Sequence, residues 1–207
     1  MKVNSITTVL SPFNRIESDR YFVADSQQEF SYDHSTGEVS DVKEGNVSQT
    51  SQGKEVSSAL AKYVAEHYPS QSGYGVFPQQ DGSLAIAVVD TRYNPSNFWN
   101  GRWKAHYIID GTSIKGKIEL DVHYFEDGNV RLKTSKNISG SINGSVVAEI
   151  ASLEKKYQDE VNRTLVGLND GAFKSLRRQL PVTRSKMTWG KAIGNYRLGQ
   201  DIAGEDK

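Results

Sequence analysis

The segment KIELDVHYFEDGNVRLKTS, residues 117–135, decides the fold class. Its first half alternates the apolar residues Ile118, Leu120 and Val122 with charged ones, a period of two that is typical of a strand with one buried face. The turn-forming residues EDGN follow, and the segment VRLKTS then resumes the alternation. The sequence therefore predicts a β-hairpin. More strands are predicted before it, in GYGVF, LAIAVVD and GRWKAHYIID, so we expect a mainly antiparallel sheet of consecutive hairpins.

Two of the surrounding segments predict helices. Apolar residues spaced by three and four predict a helix of about 24 residues, about 36 Å long at 1.5 Å per residue, which suffices to cover the sheet. These residues are Val146, Ile150, Leu153, Tyr157, Val161, Leu165 and Leu168, with EKKYQDE as the polar face. A shorter amphipathic helix is predicted in residues 54–69, after a surface loop in residues 43–54. The predicted fold class is α+β, an antiparallel sheet of consecutive hairpins covered by a long helix of the C-terminal half.

The remaining strand predictions concern the N-terminal residues and residues 84–90. Short strands are predicted in RYFVAD and EFSYD. The apolar continuity of LAIAVVD, residues 84–90, predicts a strand that is covered on both faces.

Composition narrows the class of protein. The chain has 207 residues, which suits one domain with an appendage, and it has no cysteine, which excludes disulfides and thiolate metal sites. No signal peptide or membrane-spanning run is recognised, so we expect a soluble intracellular protein. The four histidines lack zinc-site spacing, and no phosphate loop, dinucleotide fingerprint or nucleophile elbow is present. We therefore expect no cofactor, no metal and no enzymatic activity.

Charge divides the chain into two parts. The formal net charge is +0, yet the segment from Gly171 onward contains eight basic residues and only three acidic ones. We therefore expect a mildly acidic body, residues 1–170, and a basic amphipathic extension, residues 171–207. Such a distribution indicates that the extension meets an acidic surface.

The extension predicts two short helices separated by Pro181. The second carries Trp189 and Ile193 on an apolar stripe flanked by cations, and its several glycines make it marginal alone. One interpretation is a solvated helix that packs Trp189 on its own domain. The other is a segment that becomes ordered on docking to an acidic protein groove, an anionic membrane or nucleic acid.

The aromatic segment NPSNFWNGRW, residues 94–103, leaves three interpretations open: a ligand-contacting loop, a subunit contact, or a turn with inward-facing aromatic rings. We favour inward-facing Phe98, Trp99 and Trp103. The acidic letters of EDGN lack the alternating oxygen ligands of a calcium loop, and a hairpin turn explains them better.

Three motifs together resemble the alpha subunit of the heterodimeric F-actin capping protein. They are NFWNGRW at 97–103, VHYFEDGNVRL at 122–132 and FKSLRRQLPVTRSKMTW at 173–189. The resemblance implies a pseudo-twofold heterodimer with a homologous beta subunit, in which a shared sheet lies under long antiparallel helices and each chain ends in an amphipathic tentacle. It also implies calcium-independent binding to filament barbed ends, which blocks both addition and loss of subunits without enzymatic turnover.

The same resemblance implies a set of actin-binding residues in the C-terminal extension: Lys174, Arg177, Arg178, Arg184, Lys186, Trp189 and Ile193. Lys174, Arg178 and Arg184 would also attract anionic phosphoinositides, which compete with capping in the family. A cytoplasmic location in cortical actin structures is implied as well, and no nucleic-acid partner is expected.

Two departures from the family pattern qualify these expectations. We recognise no helical segment before RYFVAD, so we expect the family's N-terminal helical stalk to be missing. The segment KAIGNYRLGQDIAG is also richer in glycine than the usual tentacle. Two alternative functions stay open: the cation cluster also suits an anionic-lipid or nucleic-acid binding module that uses the basic segment, and a missing stalk suits a dimerising scaffold that has lost capping.

Overall fold

The computed structural model describes residues 2–4, 6–68, 72–125 and 130–167. Within these ranges the strands are β1 (Lys2–Val3), β2 (Ile6–Thr7), β3 (Arg15–Glu17), β4 (Arg20–Val23), β5 (Gln28–Tyr32), β6 (Val39–Glu44), β7 (Gly73–Pro78), β8 (Leu84–Asn94), β9 (Trp99–Asp110), β10 (Ser113–Tyr124) and β11 (Val130–Ser141). The helices are α1 (Ser51–His67) and α2 (Val146–Gly167). The α+β class predicted from the sequence is confirmed.

Five antiparallel strands form the main sheet, in the order β11-β10-β9-β8-β7. Each strand pairs with its neighbour in sequence, so the prediction of consecutive hairpins is confirmed. The β9–β10 turn places Gly111 at a φ of 57°, in the left-handed region that glycine adopts without strain. The turn predicted at EDGN lies outside the described residues.

Helix α1 begins earlier than predicted. The Thr50 side chain accepts a hydrogen bond from the Gly53 backbone N–H and caps the helix, and Val56, Leu60 and Val64 form its buried face. The predicted loop of residues 43–54 is therefore too long, because β6 still includes its first two residues and α1 its last four. The first helical turn is polar and carries no apolar period, which is why the pattern does not reveal it.

Both helices pack on one face of the main sheet. The core contains Val56, Leu60 and Val64 from α1, Ile150, Leu153 and Tyr157 from α2, and Ile86, Tyr107, Ile114 and Ile118 from the strands. Helix α2 has 22 residues and begins at Val146, as predicted. The long helix α2 packs on the sheet as predicted, and α1 packs beside it on the same face.

The N-terminal strands cover part of the opposite face of the main sheet. They form a four-stranded sheet in the order β3-β4-β5-β6, from which Phe22 packs on Phe77, Ala85 and Ala87. Strands are present in RYFVAD and EFSYD, as predicted. Because Ala85 and Ala87 face this layer while Ile86 faces the helices, the prediction that β8 is covered on both faces is confirmed.

Candidate functional site: the charged face and the open edge of the main sheet

The site residues predicted from the sequence lie outside the described residues. All seven fall in the C-terminal extension: Lys174, Arg177, Arg178, Arg184, Lys186, Trp189 and Ile193. The body is nevertheless described up to Gly167, the last residue of α2. Three features of the body bear on function: the anchoring of α2, the outer edge of β11 and a charged face on β9–β11.

A buried carboxylate anchors α2. Glu154 is 1% exposed and accepts hydrogen bonds from three tyrosine hydroxyls, those of Tyr63 and Tyr68 at 2.6 Å and of Tyr107 at 2.5 Å. Burial, together with the carboxylate, raises the pKa of all three tyrosines well above the ordinary value. The placement of Glu154 on the polar face of this helix was wrong, since this residue points into the core.

Three more buried polar atoms lie near the same core and have no hydrogen-bond partner among the described residues: Asp90 Oδ1, Trp103 Nε1 and the Tyr157 hydroxyl. Asp90 is directly opposite Trp103 in the β8–β9 register, and the rings of Trp103 and Tyr157 are 5.8 Å apart. Burial raises the pKa of Asp90, because the charged form is poorly solvated there.

The outer edge of β11 is open within the part of the chain that the structure describes. All twelve residues of β11 pair with β10, and no described strand pairs with the other side. The apolar face next to this edge is incompletely covered: Leu120, Val122, Tyr124 and Leu132 are only half-buried. On the end of α2 above them, Leu165 is 39% and Val166 is 61% exposed. We call this region the open apolar end.

The aromatic segment of residues 94–103 is mostly strand, since β9 begins at Trp99. Trp103 faces the core and Trp99 is half-buried beneath the Arg92 guanidinium, 5.3 Å from the ring centre. Phe98 is 39% exposed, with a φ of 56°, and its ring meets that of Phe125. The inward orientation is therefore confirmed for Trp103 and wrong for Phe98.

The opposite face of β9–β11 carries a cluster of charged side chains around a cavity of about 450 Å³. Cross-strand register places them in rows, with Arg102 and Lys133 on either side of Asp121, and Lys104 beside Glu119. We call this cluster the charged face: Arg102, Lys104, Lys117, Glu119, Asp121, Arg131 and Lys133.

Ion pairs occupy only part of the charged face. The Arg131 guanidinium donates two hydrogen bonds to the Asp121 carboxylate, at 2.8 and 2.6 Å, and this contact lowers the pKa of Asp121. The Lys117 ammonium hydrogen-bonds Glu119 and lowers the pKa of that carboxyl. Electrostatic attraction to nearby Lys133 and Arg102 also lowers the pKa of Asp121, as Lys104 does for Glu119.

Neither a metal cluster nor a membrane-spanning helix is found within the described ranges. Among the residues that the structure describes, no group of three or more histidine, cysteine or acidic side chains is placed to hold a metal ion. No helix of this part of the chain is long and apolar enough to cross a bilayer.

The sequence predicts the strand alternation behind the charged face but not the charged face itself. The alternation in β10 and β11 places Glu119 and Asp121 on one strand face and Arg131 and Lys133 on another. The missing information is the register between β9 and β10, which brings Arg102 and Lys104 to the same surface.

The described residues thus define an α+β protein with an open sheet edge and a charged face on its main sheet. The model of the F-actin capping protein alpha subunit family matches residues 1–201. The chain belongs to this family.

Curated relatives agree with this assignment, and a solved structure shares the fold. The capping protein alpha subunit of Yarrowia lipolytica is 45% identical over 197 residues, covering 94% of this chain and 73% of the relative. That of Chaetomium thermophilum is 47% identical over 205 residues, covering 95% and 74%. The fold matches a homodimeric actin capping protein alpha subunit from Plasmodium berghei with a TM-score of 0.64 at 17% identity, covering 88% of this chain and 80% of that one.

Proposed function

We propose that this chain is the alpha subunit of a heterodimer that binds the barbed end of actin filaments and blocks both addition and loss of subunits. The observation that carries the proposal is the match of the capping protein alpha family over residues 1–201, which includes residues 171–201 of the basic extension. The activity is binding without catalytic turnover. It requires no calcium, and its place is the cytoplasmic, cortical actin cytoskeleton.

The partner is a capping protein beta subunit, and the open edge of β11 with the open apolar end is the surface that meets it. An edge strand of twelve residues is about twice the usual strand length, and unpaired backbone groups along it favour pairing with another strand. Burial of half-exposed Leu120, Val122 and Leu132 stabilises such a contact by about 25 cal/mol per Å² of apolar surface. Joined edges would make one sheet shared by the two subunits.

The filament contacts come from the C-terminal extension. Lys174, Arg178 and Arg184 supply the main cations for an acidic filament end, with Arg177 and Lys186 beside them. Cations accelerate association, while an apolar anchor such as Trp189 or Ile193 slows dissociation. Within the body, Glu154 holds α2, the helix that precedes the extension in sequence, against three tyrosines.

Anionic phosphoinositides regulate this surface. Their headgroups bear the same kind of negative charge as the filament end, so they compete for Lys174, Arg178 and Arg184. One short basic helix anchors weakly to a bilayer, so the lipid acts as a competitor of capping and not as a permanent anchor.

The test is elongation from barbed ends with the chain coexpressed with a beta subunit. We expect the intact dimer at saturation to stop growth, and Arg178→Ala/Arg184→Ala to weaken capping at least tenfold, a loss of about 1.4 kcal/mol or more. The matched control is Lys54→Ala/Lys62→Ala, which removes two exposed cations from α1 and should leave capping unchanged.

Gel filtration of the same samples shows whether a loss of capping comes from a loss of filament binding or from a loss of the heterodimer. Normal barbed-end growth with a well-formed dimer contradicts the capping proposal and favours a scaffold that only dimerises. Loss of capping together with loss of the dimer in the double variant contradicts the assignment of filament contact to Arg178 and Arg184.

A further inference from the structure

The charged face has no part in the proposed contacts with actin or the beta subunit. It lies on the side of the main sheet opposite α1 and α2, whereas the open edge of β11 runs along its border. We propose that the charged face binds an extended acidic peptide of a partner protein, with aspartate or glutamate at alternate positions.

The charge of this surface favours an anionic ligand. Five cations surround two carboxylates, and both carboxylates already pair within the face, Asp121 with Arg131 and Glu119 with Lys117. Arg102, Lys104 and Lys133 form no ion pair with any described carboxylate within 4.0 Å. These three exposed cations are therefore available to a ligand.

The spacing of the cations favours an extended peptide. Arg102 and Lys104, which form no ion pair with a described carboxylate, are two residues apart on β9 and project from one strand face about 6.8 Å apart. Alternate side chains of an extended peptide have the same repeat. A peptide parallel to these strands can therefore place successive carboxylates on successive cations.

The shape of the surface argues against a bilayer as the ligand. The cations line a cavity of about 450 Å³, and on the neighbouring part of β9 the Phe13 ring lies 5.7 Å from that of His106. A flat lipid surface cannot follow such a recess, whereas a single peptide strand, about 5 Å from its neighbours in a sheet, can.

The test is binding of a fluorescent peptide to the full chain coexpressed with a beta subunit, followed by anisotropy. The probe is an alternating Glu-Ser peptide of about ten residues, about 34 Å when extended. We expect Arg102→Glu/Lys133→Glu to weaken its binding at least tenfold. A block isomer, with all glutamates followed by all serines, should bind at least threefold more weakly than the alternating peptide.

Two variants with the same change of charge locate the site. Lys54→Glu/Lys62→Glu on α1 should have no effect, and Arg178→Glu/Arg184→Glu in the extension should have little. Carbodiimide cross-linking of the bound peptide, mapped by mass spectrometry, should join its carboxylates to Lys104 or Lys133.

Several results would overturn the proposal. One is an equal loss of peptide binding in all three variants, which indicates diffuse attraction. Others are a loss confined to the extension variant, equal affinity for the two peptide isomers, or cross-links only beyond residue 167. If Arg102→Glu/Lys133→Glu instead abolishes binding to phosphatidylinositol bisphosphate vesicles and leaves peptide binding intact, the ligand is a lipid headgroup and the peptide proposal is wrong.

Discussion

Glu154 and Asp121 are both carboxylates of the same body, on opposite faces of its main sheet. Glu154 is 1% exposed and is met by three neutral tyrosine hydroxyls, with no cation within ion-pair distance in the described part of the chain. Asp121 is half-buried and engages the Arg131 guanidinium among further cations. The difference separates two uses of charge: the first holds a helix in place, and the second is part of a surface that other molecules can reach.

The comparison predicts that removing the buried carboxylate has the largest effect. Glu154→Leu leaves the buried hydroxyl of Tyr107 and the partly buried hydroxyl of Tyr68 without their acceptor, so we expect a loss of about 3 kcal/mol in the free energy of unfolding. Glu154→Gln keeps the shape and part of the hydrogen bonding, and should cost about half as much. Urea unfolding of the coexpressed dimer measures both. Equal stability of Glu154→Leu and the parent chain would contradict the anchoring role.

The tyrosines add a pH signature to the same experiment. Their folded-state pKa lies above the ordinary value near 10, so this contribution to stability is complete below that pH and is lost as the pH rises above it. The Glu154→Leu variant should therefore lose less stability than the parent chain between neutral and strongly alkaline pH. A parallel loss in both proteins would contradict the coupling.

The sequence predicts the parts of these two regions that depend on residues close together in the chain, and it misses the parts that depend on residues far apart in the chain. The buried positions Val147, Ile150, Leu153 and Tyr157 include three that the helical period predicts, because that period is a local property of the chain. The same period places Glu154 on the solvent-facing side of the helix. Only tertiary contacts with tyrosines 47 to 91 residues away place it in the core, and no local pattern encodes them.

The candidate site shows the same limit. Arg131 and Lys133 alternate visibly with apolar neighbours, but their convergence with Arg102 depends on strand register, which the sequence did not specify in advance. The predicted actin-binding set in residues 174–193 rests on a resemblance and stays a prediction, because it lies outside the described residues.

Asp90 is an intermediate case between the two carboxylates, and it predicts a smaller effect. Its Oδ1 is buried without a partner in the described part of the chain, and burial raises its pKa, so its ionised form destabilises the fold. Stability from this group is fully present below its ordinary pKa, near 4, and is lost as the pH rises through the raised value. Asp90→Asn should therefore raise Tm by about 2 °C at neutral pH and not at pH near 3.

Thermal melts of the dimer at the two pH values measure this effect. The matched control is Asp110→Asn at an exposed position of β9, which should leave Tm unchanged at both. A lower Tm for Asp90→Asn at neutral pH would show that the ionised Asp90 carboxylate stabilises the folded protein, which would contradict this prediction.

The smallest effect on stability is expected on the charged face. Arg131 and Asp121 form a bidentate pair, but exposed pairs contribute little because water and salt screen them. Asp121→Asn, Arg131→Gln and the double variant should each melt within about 1 °C of the parent chain. Asp121→Asn should nevertheless tighten binding of the alternating acidic peptide, because it removes an anion from between Arg102 and Lys133. A large loss of stability in these variants would make the charged face structural, like Glu154, and would erase the distinction between the two faces of the sheet.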